Sequence, residues 1–388
     1  MDAREVAERV VDGHRDGLVA LSHAVHADAE LGFEEHRSSA RVAAALAEGG
    51  FDVEHGVAGL DTAFVATAGS GPLTVGICAE YDALPTVGHA CGHNVIAAAA
   101  VGAGLALAEL ADELGLTVKV LGTPAEEGGG GKILMLDAGC FEGVHAAMMV
   151  HPAPYEASRM PTLAIEHYGV RYRGRTAHAS AYPHLGINAA DALTVAQVAI
   201  GLLRQHLRPT DRVHGIVTDG GDAPNIIPDR TAGTWYVRAA TLAELAELSP
   251  RVRACFEAGA IATGCEVEYV PDGPPYSEFD PDVDLMRLWE REVRAIGRHL
   301  DPAVVETIPG ASTDMANVSL AVPTIHPMLD IDAGGAVNHQ PEFAAAAIAA
   351  GADRAVRDGA LAMARTVIAI TEDPALAERL MTVGRRTS

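Results

Sequence analysis

The sequence predicts an α/β domain with a mixed, mostly parallel sheet, interrupted by a smaller α+β unit of ferredoxin-like order. Three observations lead there. Up to about residue 162, short apolar or alternating runs take turns with helix-period segments, as in a largely parallel sheet covered on both faces. From that point the order becomes β-α-β-β-α-β, the split ferredoxin-like unit. Near residue 284 the helix–strand alternation of the first part resumes. A chain of 388 residues also suits roughly two domains of about 100–200 residues each. The expected boundaries are 1–163 and 279–388 for the discontinuous larger domain and 164–278 for the insertion.

Residues 4–48 read as helical, with Val6, Val10, Leu18 and Leu21 near helical spacing, and Gly49-Gly50 end the region. Strand-like runs follow at 62–67, 73–79, 117–121 and 146–150. Between them lie an Ala-rich helix at 94–114 and a shorter one at 132–138. In the insertion, strands are expected at 162–172, 213–217, 231–238 and 267–270, and helices at 191–206 and 242–263. A Pro- and Asp-rich linker spans 271–284; beyond it come the apolar run 322–328 and a last helix over 343–371.

Hydrophobic residues make up 49% and aromatic ones 4%, so Ala, Val and Leu must fill the core. A net charge of −24 argues against nucleic acid as a partner, where a basic footprint is needed. No uninterrupted apolar window of about 18 residues is present, so no membrane span is expected. The first residues lack the basic and apolar regions of a signal peptide. Five cysteines without staple-like spacing then read as reduced thiols, and the location as cytoplasmic.

The chemistry gathers where strands of such a sheet end, the usual place for a ligand. Gly88-His89-Ala90-Cys91-Gly92-His93-Asn94 puts a thiol two residues from an imidazole, both suited to zinc or a similar ion. Taken alone, Cys91 and His93 fit a buried thiol and a helix-capping imidazole equally well. Glu126-Glu127 precede four glycines, a poor helix, so they are not a solvated helix face. In an extended or turning segment, neighbouring carboxylates point apart, one toward a metal and the other toward a water as general base. His151 follows an apolar run, His339 sits in Asn338-His339-Gln340-Pro341, and Asp82 can orient a ligand imidazole. Together these segments imply one metal site built from four strand ends. In the insertion, His178, Asn225 and Arg238 are polar candidates for a substrate oxyanion, although turn and surface roles fit them as well.

Glu80-Tyr81-Asp82-Ala83-Leu84-Pro85, the segments 89–94, 122–131, 149–152 and 225–228, Gly310-Ala311-Ser312-Thr313-Asp314 and the segment 338–343 resemble the M20 family of aminoacylase-type metallopeptidases. The closest branch holds Xaa-Arg/Lys dipeptidases and p-aminobenzoyl-glutamate hydrolase subunits. The resemblance runs in family order from about residue 20 to 345. It implies a zinc-peptidase-like catalytic domain, an inserted lid that also mediates homodimerisation, and two divalent ions, zinc or manganese with cobalt possible. Matched one by one, Cys91, His93, Glu127, His151 and His339 fall on metal ligands and Glu126 on the general base. His178, Asn225 and Arg238 fall on lid residues that touch the substrate, in some members from the partner subunit. Two departures stand out: the wider family has His-x-Asp where this chain has Glu80-Tyr81-Asp82, and many relatives have aspartate at Asn94.

The expected activity is hydrolysis of the amide bond of a small dipeptide or N-acyl amino acid, with a p-aminobenzoyl-glutamate-type amidohydrolase as the alternative. Two readings from other classes are a hydrolase with Cys91 as nucleophile and a non-catalytic metal-binding subunit.

Overall fold

Two compact units divide the chain, one of Met1–Pro161 with Phe279–Ser388 and one of Thr162–Glu278. The structure, a computed structural model, describes residues 2–300, 304 and 310–383. In the larger unit, helix α1 (Ala3–Asp28) starts on Asp2, whose side chain accepts the Arg4 amide. It stops at Ala29, where φ is 42°. Helix α2 (His36–Glu48) follows. The helical region expected over 4–48 is therefore broken at 29–35. Ala29 and Phe33 adopt positive φ. The Glu30 carboxylate also turns back to accept the amides of Arg37 and Ser38, satisfying donors that open α2.

The chain then lays down β1 (Asp52–His55), a strand the sequence reading lacked, followed by β2 (Phe64–Gly69) and β3 (Leu73–Ala79). Helix α3 (His93–Leu114) leads to β4 (Leu116–Gly122). Next come α4 (Gly131–Asp137), β5 (Ala146–Met148) and β6 (His151–Ala153). Helix α3 is apolar enough in composition to cross a membrane, with a mean hydropathy of 1.7, yet 83% of that stretch is buried. Its alanines let it pass between neighbours as a core helix, which explains why it is apolar all round.

The smaller unit carries β7 (Ala164–Arg173), α5 (Ala189–Leu203), β8 (Arg212–Asp219), β9 (Arg230–Ala239), α6 (Leu242–Thr263) and β10 (Glu266–Pro271). Its antiparallel sheet has the order β10-β7-β9-β8, so the split β-α-β arrangement is present. Both helices pack with Tyr168, Tyr172, Trp235 and Phe256 in one core. Strand β8 lies at the sheet edge with Ile216 and Val217 exposed.

Back in the larger unit follow α7 (Val283–Ala295), α8 (Met315–Ala321), β11 (Thr324–Ile325) and β12 (Met328–Asp330). Helices α9 (Pro341–Ala346), α10 (Ala350–Thr371) and α11 (Pro374–Val383) end the described chain. The single helix expected over 343–371 is thus two. Ala349 is extended, and α10 starts where Gly351 presses on the Ile331 carbonyl, closer than any Cβ allows. Strand β11 completes the sheet order β1-β2-β4-β3-β5-β11. The pairings β3–β4, β3–β5 and β5–β11 are parallel, and β1–β2 and β2–β4 are antiparallel. Strands β6 and β12 pair in parallel beside it, setting His151 opposite Met328.

Candidate metal centre

Strand β3 delivers Glu80, Tyr81 and Asp82 into the interior, all fully buried or nearly so. The chain then loops to Cys91 and Gly92, and His93 opens α3. Gly92 has φ 81°, and a Cβ there would lie 2.5 Å from Pro152 Cγ, so only glycine fits between the two candidate ligands. That contact seats Cys91 and His93 against the residue that follows His151. Glu126 and Glu127 sit in the loop after β4, and His151 is the first residue of β6. His339 has φ 70°, and its amide donates to the Ala90 carbonyl at 2.8 Å, tying its loop to the Cys91 segment. The picture of four strand ends therefore needs correction. Glu126-Glu127 follow β4 and His151 follows β5 within a few residues, whereas Cys91 and His93 belong to the start of α3 and His339 lies in the loop beyond β12.

The side chains nevertheless converge. Cys91, His93 and His151 offer ligand atoms within 4.8 Å of one another, and so do Cys91, Glu127 and His339. The thiol is common to both groups. His93 Nδ1 lies 2.9 Å from Asp82 Oδ1, and His151 Nδ1 lies 2.8 Å from the Pro152 carbonyl oxygen. Each therefore donates from Nδ1 and keeps its Nε2 lone pair for the centre. His93 Nε2 is buried and makes no hydrogen bond, while His151 Nε2 stands 3.5 Å from Cys91 Sγ. A soft thiol, imidazoles with lone pairs turned inward and a carboxylate form a donor set that fits a divalent transition ion.

The second oxygen of Asp82 accepts the Glu127 amide at 3.0 Å, so one carboxylate orients a ligand ring and a ligand backbone. Burial works against Asp82, but His93 outweighs it and holds its carboxyl at about 2. Burial, then Glu80 and Glu127, push the Glu126 carboxyl well up. Burial also raises Glu127, but the His339 and His93 imidazoles leave it below the ordinary carboxylate range. Burial drives the Cys91 thiol up and His151 down to about 4. Such a field is one a pair of cations would invert.

Residues to which the sequence reading gave no role complete the surroundings. Glu80, His93 and Glu126 form a third group within 4.8 Å. Lys132, fully buried, lies 2.5 Å from Glu80 Oε1 and 2.7 Å from Asp314 Oδ1. His326 packs edge-on to His151 with ring centres 5.5 Å apart. Its context, Ile325-His326-Pro327, repeats the apolar-His-Pro pattern of Val150-His151-Pro152 and was a legible signal. Glu35 accepts the Ala125 amide at 2.8 Å, from a residue at φ 56° directly before Glu126.

In the smaller unit, His178 Nδ1 accepts the Ser180 and Ala181 amides, which leaves the proton on Nε2. The Ala179 amide donates to the Asn225 carbonyl, and His178 bridges to Ile226, so His178 and Asn225 share one loop cluster. Arg238 is elsewhere. It lies near the far end of β9, its Nε 3.4 Å from His214 Nε2 and its guanidinium 6.0 Å from the Tyr236 ring centre. Arg230, at the other end of β9 and five residues past Asn225, is eight steps along the strand from Arg238, about 26 Å at the usual rise. The structure therefore brings His178 and Asn225 together and sets Arg238 apart within this unit.

Residues 76–357 match the family described as peptidase family M20/M25/M40. The chain is 39% identical to the Xaa-Arg dipeptidase of Mus musculus, over 97% of this chain and 90% of that one. It is 32% identical to a p-aminobenzoyl-glutamate hydrolase subunit of Escherichia coli K12, over 66% of this chain and 58% of that protein. Among solved structures, the Bacillus subtilis YXEP protein, described as a dinuclear metal binding peptidase from the M20 family, aligns with a TM-score of 0.65. It is 20% identical, covering 92% of this chain and 99% of its own, so the likeness is one of fold.

Proposed function

The chain belongs to peptidase family M20/M25/M40, whose relatives mark it as a metal-dependent amide hydrolase, and from that premise we propose a two-metal dipeptidase that prefers a basic C-terminal residue. The observation that carries the two-metal reading is the sharing of Cys91 by two ligand groups. Cys91, His93 and His151 would hold one ion, and Cys91, Glu127 and His339 the other. Thiolate and imidazole favour zinc, and manganese or cobalt are the next candidates. Support for the substrate comes from the mouse relative's name and from the net charge of −24, which draws cationic substrates.

Bound ions supply Lewis acidity toward the scissile carbonyl and make water acidic enough to lose a proton near neutral pH. Glu126 takes that proton and passes it to the leaving amine nitrogen. Asp82 keeps His93 in the correct tautomer. His178, through its Nε2–H, steadies the developing oxyanion, and Asn225 and Arg238 bind the substrate's polar end. Because Arg238 stands so far from the His178–Asn225 cluster, one small substrate meets all three only if they come from two copies of the chain. The smaller unit then acts as lid and dimer contact, and the open β8 edge supports that role. Free thiols at Cys78, Cys91, Cys140, Cys255 and Cys265 suit a reducing cytoplasm.

Activity should be screened on dipeptides ending in Arg, Lys or neutral residues, on N-acyl amino acids and on p-aminobenzoyl-glutamate, with zinc, manganese and cobalt supplied separately. Preference for the aminobenzoyl substrate would favour the alternative amidohydrolase. Dialysis against a chelator should abolish turnover, and added metal should restore it. The Cys91 Sγ–His151 Nε2 approach of 3.5 Å also suits a thiol nucleophile and its base, and activity that survives chelation would establish that reading instead. Inactivity throughout would leave a metal-binding subunit.

A further inference from the structure

Lys132 is one of only two lysines in the chain, and it is fully buried. It stands near the start of α4, just past the glycine turn, and its amide as well as its ammonium bonds Asp314, at 2.9 and 2.7 Å. The ammonium reaches Glu80 Oε1 at 2.5 Å, and both carboxylates are fully buried too. Burying an ammonium costs several kcal/mol unless its partners repay it, and an apolar side chain fills such a volume more cheaply. The placement therefore asks for a reason beyond packing.

The reason lies on the other side of Glu80. Its Oε2 stands 3.5 Å from His93 Nε2, and Glu80, His93 and Glu126 form a ligand group of their own. That group competes with Cys91, His93 and His151 for the same imidazole lone pair. Glu80, Asp82, Glu126, Glu127, Asp314 and a Cys91 thiolate would bring six negative charges to this buried region. Without Lys132, two dications leave two of those charges uncompensated and a third would cancel them; with its ammonium in place, two dications leave only one, and a third would put the region in positive excess.

Building on the two-metal reading above, we propose that Lys132 is a tethered cation that stands in for a metal ion at Glu80. It neutralises that carboxylate, keeps it out of the coordination sphere, and so reserves His93 Nε2 for the ion shared with Cys91 and His151. Lys132 is a positioning residue in this scheme: it acts through Glu80 and sets how many ions the centre holds.

The test is zinc content per chain after equilibrium dialysis, with circular dichroism to confirm folding. The parent should bind two equivalents; a different number counts against the two-metal reading itself. Glu80→Gln should still bind two, because Glu80 is not a ligand while Lys132 holds it. Lys132→Met should gain one equivalent, and Lys132→Met combined with Glu80→Gln should return to two. Loss of an ion in Glu80→Gln, or an unchanged count in folded Lys132→Met, overturns the proposal. If Lys132→Met does not fold, the Glu80→Gln measurement decides alone.

Discussion

Asp82 Oδ1 and His93 Nδ1 lie 2.9 Å apart in the buried interior, and the same carboxylate accepts the Glu127 amide through its other oxygen. One side chain thus fixes the tautomer of one candidate ligand and the backbone of another. Asp82→Asn keeps the shape but removes the charge that favours Nδ1–H. Metal affinity should fall by about 10–100-fold, the usual effect of losing such an outer partner. Competition with a chromogenic chelator measures it, and an unchanged affinity would mean that His93 is not a ligand.

In the proposed mechanism Glu126 is the carboxylate of the pair assigned to proton transfer, because Glu127 belongs to the group with Cys91 and His339. Glu126→Gln should lower kcat by about 10²–10⁴ while metal content stays at the parent level. Loss of metal in the variant would make Glu126 a ligand and remove it as the base.

Glu35 supports this pair from beneath, accepting the Ala125 amide at 2.8 Å and the Thr62 hydroxyl at 2.9 Å. Burial, with the Asp82 charge, pushes its carboxyl up from 4.5 to about 7. The folded chain then binds the proton more tightly than the unfolded one between those values. Its contribution to stability is therefore lost as pH rises through that window and levels off above about 7. Glu35→Gln keeps an oxygen for the Ala125 amide but cannot titrate. In metal-free protein its stability relative to the parent should climb between about pH 5 and 7, by at most about 3 kcal/mol. A difference that does not change with pH would show that Glu35 titrates normally.

The larger elements were legible because each carries its own period: the β3 run, the Ala-rich α3 and the two helices of the smaller unit fall close to where the residues place them. Breaks were less so. Nothing in the apolar spacing of residues 4–48 shows that Ala29 turns left-handed or that Glu30 caps the next helix. At the centre, Cys91, His93, Glu126, Glu127, His151 and His339 were readable as residues of the right chemical type near the ends of apolar runs. Glu80 and Asp314 stood in family-like segments without a role and Lys132 was not singled out, because a buried ion triad assembled from the end of β3, α4 and the start of α8 is not a local pattern. Arg238 shows the reverse case. Its type was legible, but its place at the opposite end of β9 from the loop that holds Asn225 and meets His178 shows only in the folded sheet.

That distance makes subunit sharing testable without a structure of the dimer. If His178 and Arg238 serve the same active site from different chains, His178→Ala and Arg238→Ala should each be nearly inactive. A mixed dimer concentrates both lesions in one site and leaves the other intact. Random mixing of the two inactive proteins, after unfolding and refolding together, should then restore about a quarter of parental activity in a two-fold dimer. If both residues serve one site from a single chain, every site in every mixed dimer carries one lesion and no activity returns. Sedimentation of the mixture confirms that dimers re-formed, so an inactive mixture of dimers would place His178 and Arg238 on one chain and remove the argument for exchange across the β8 edge.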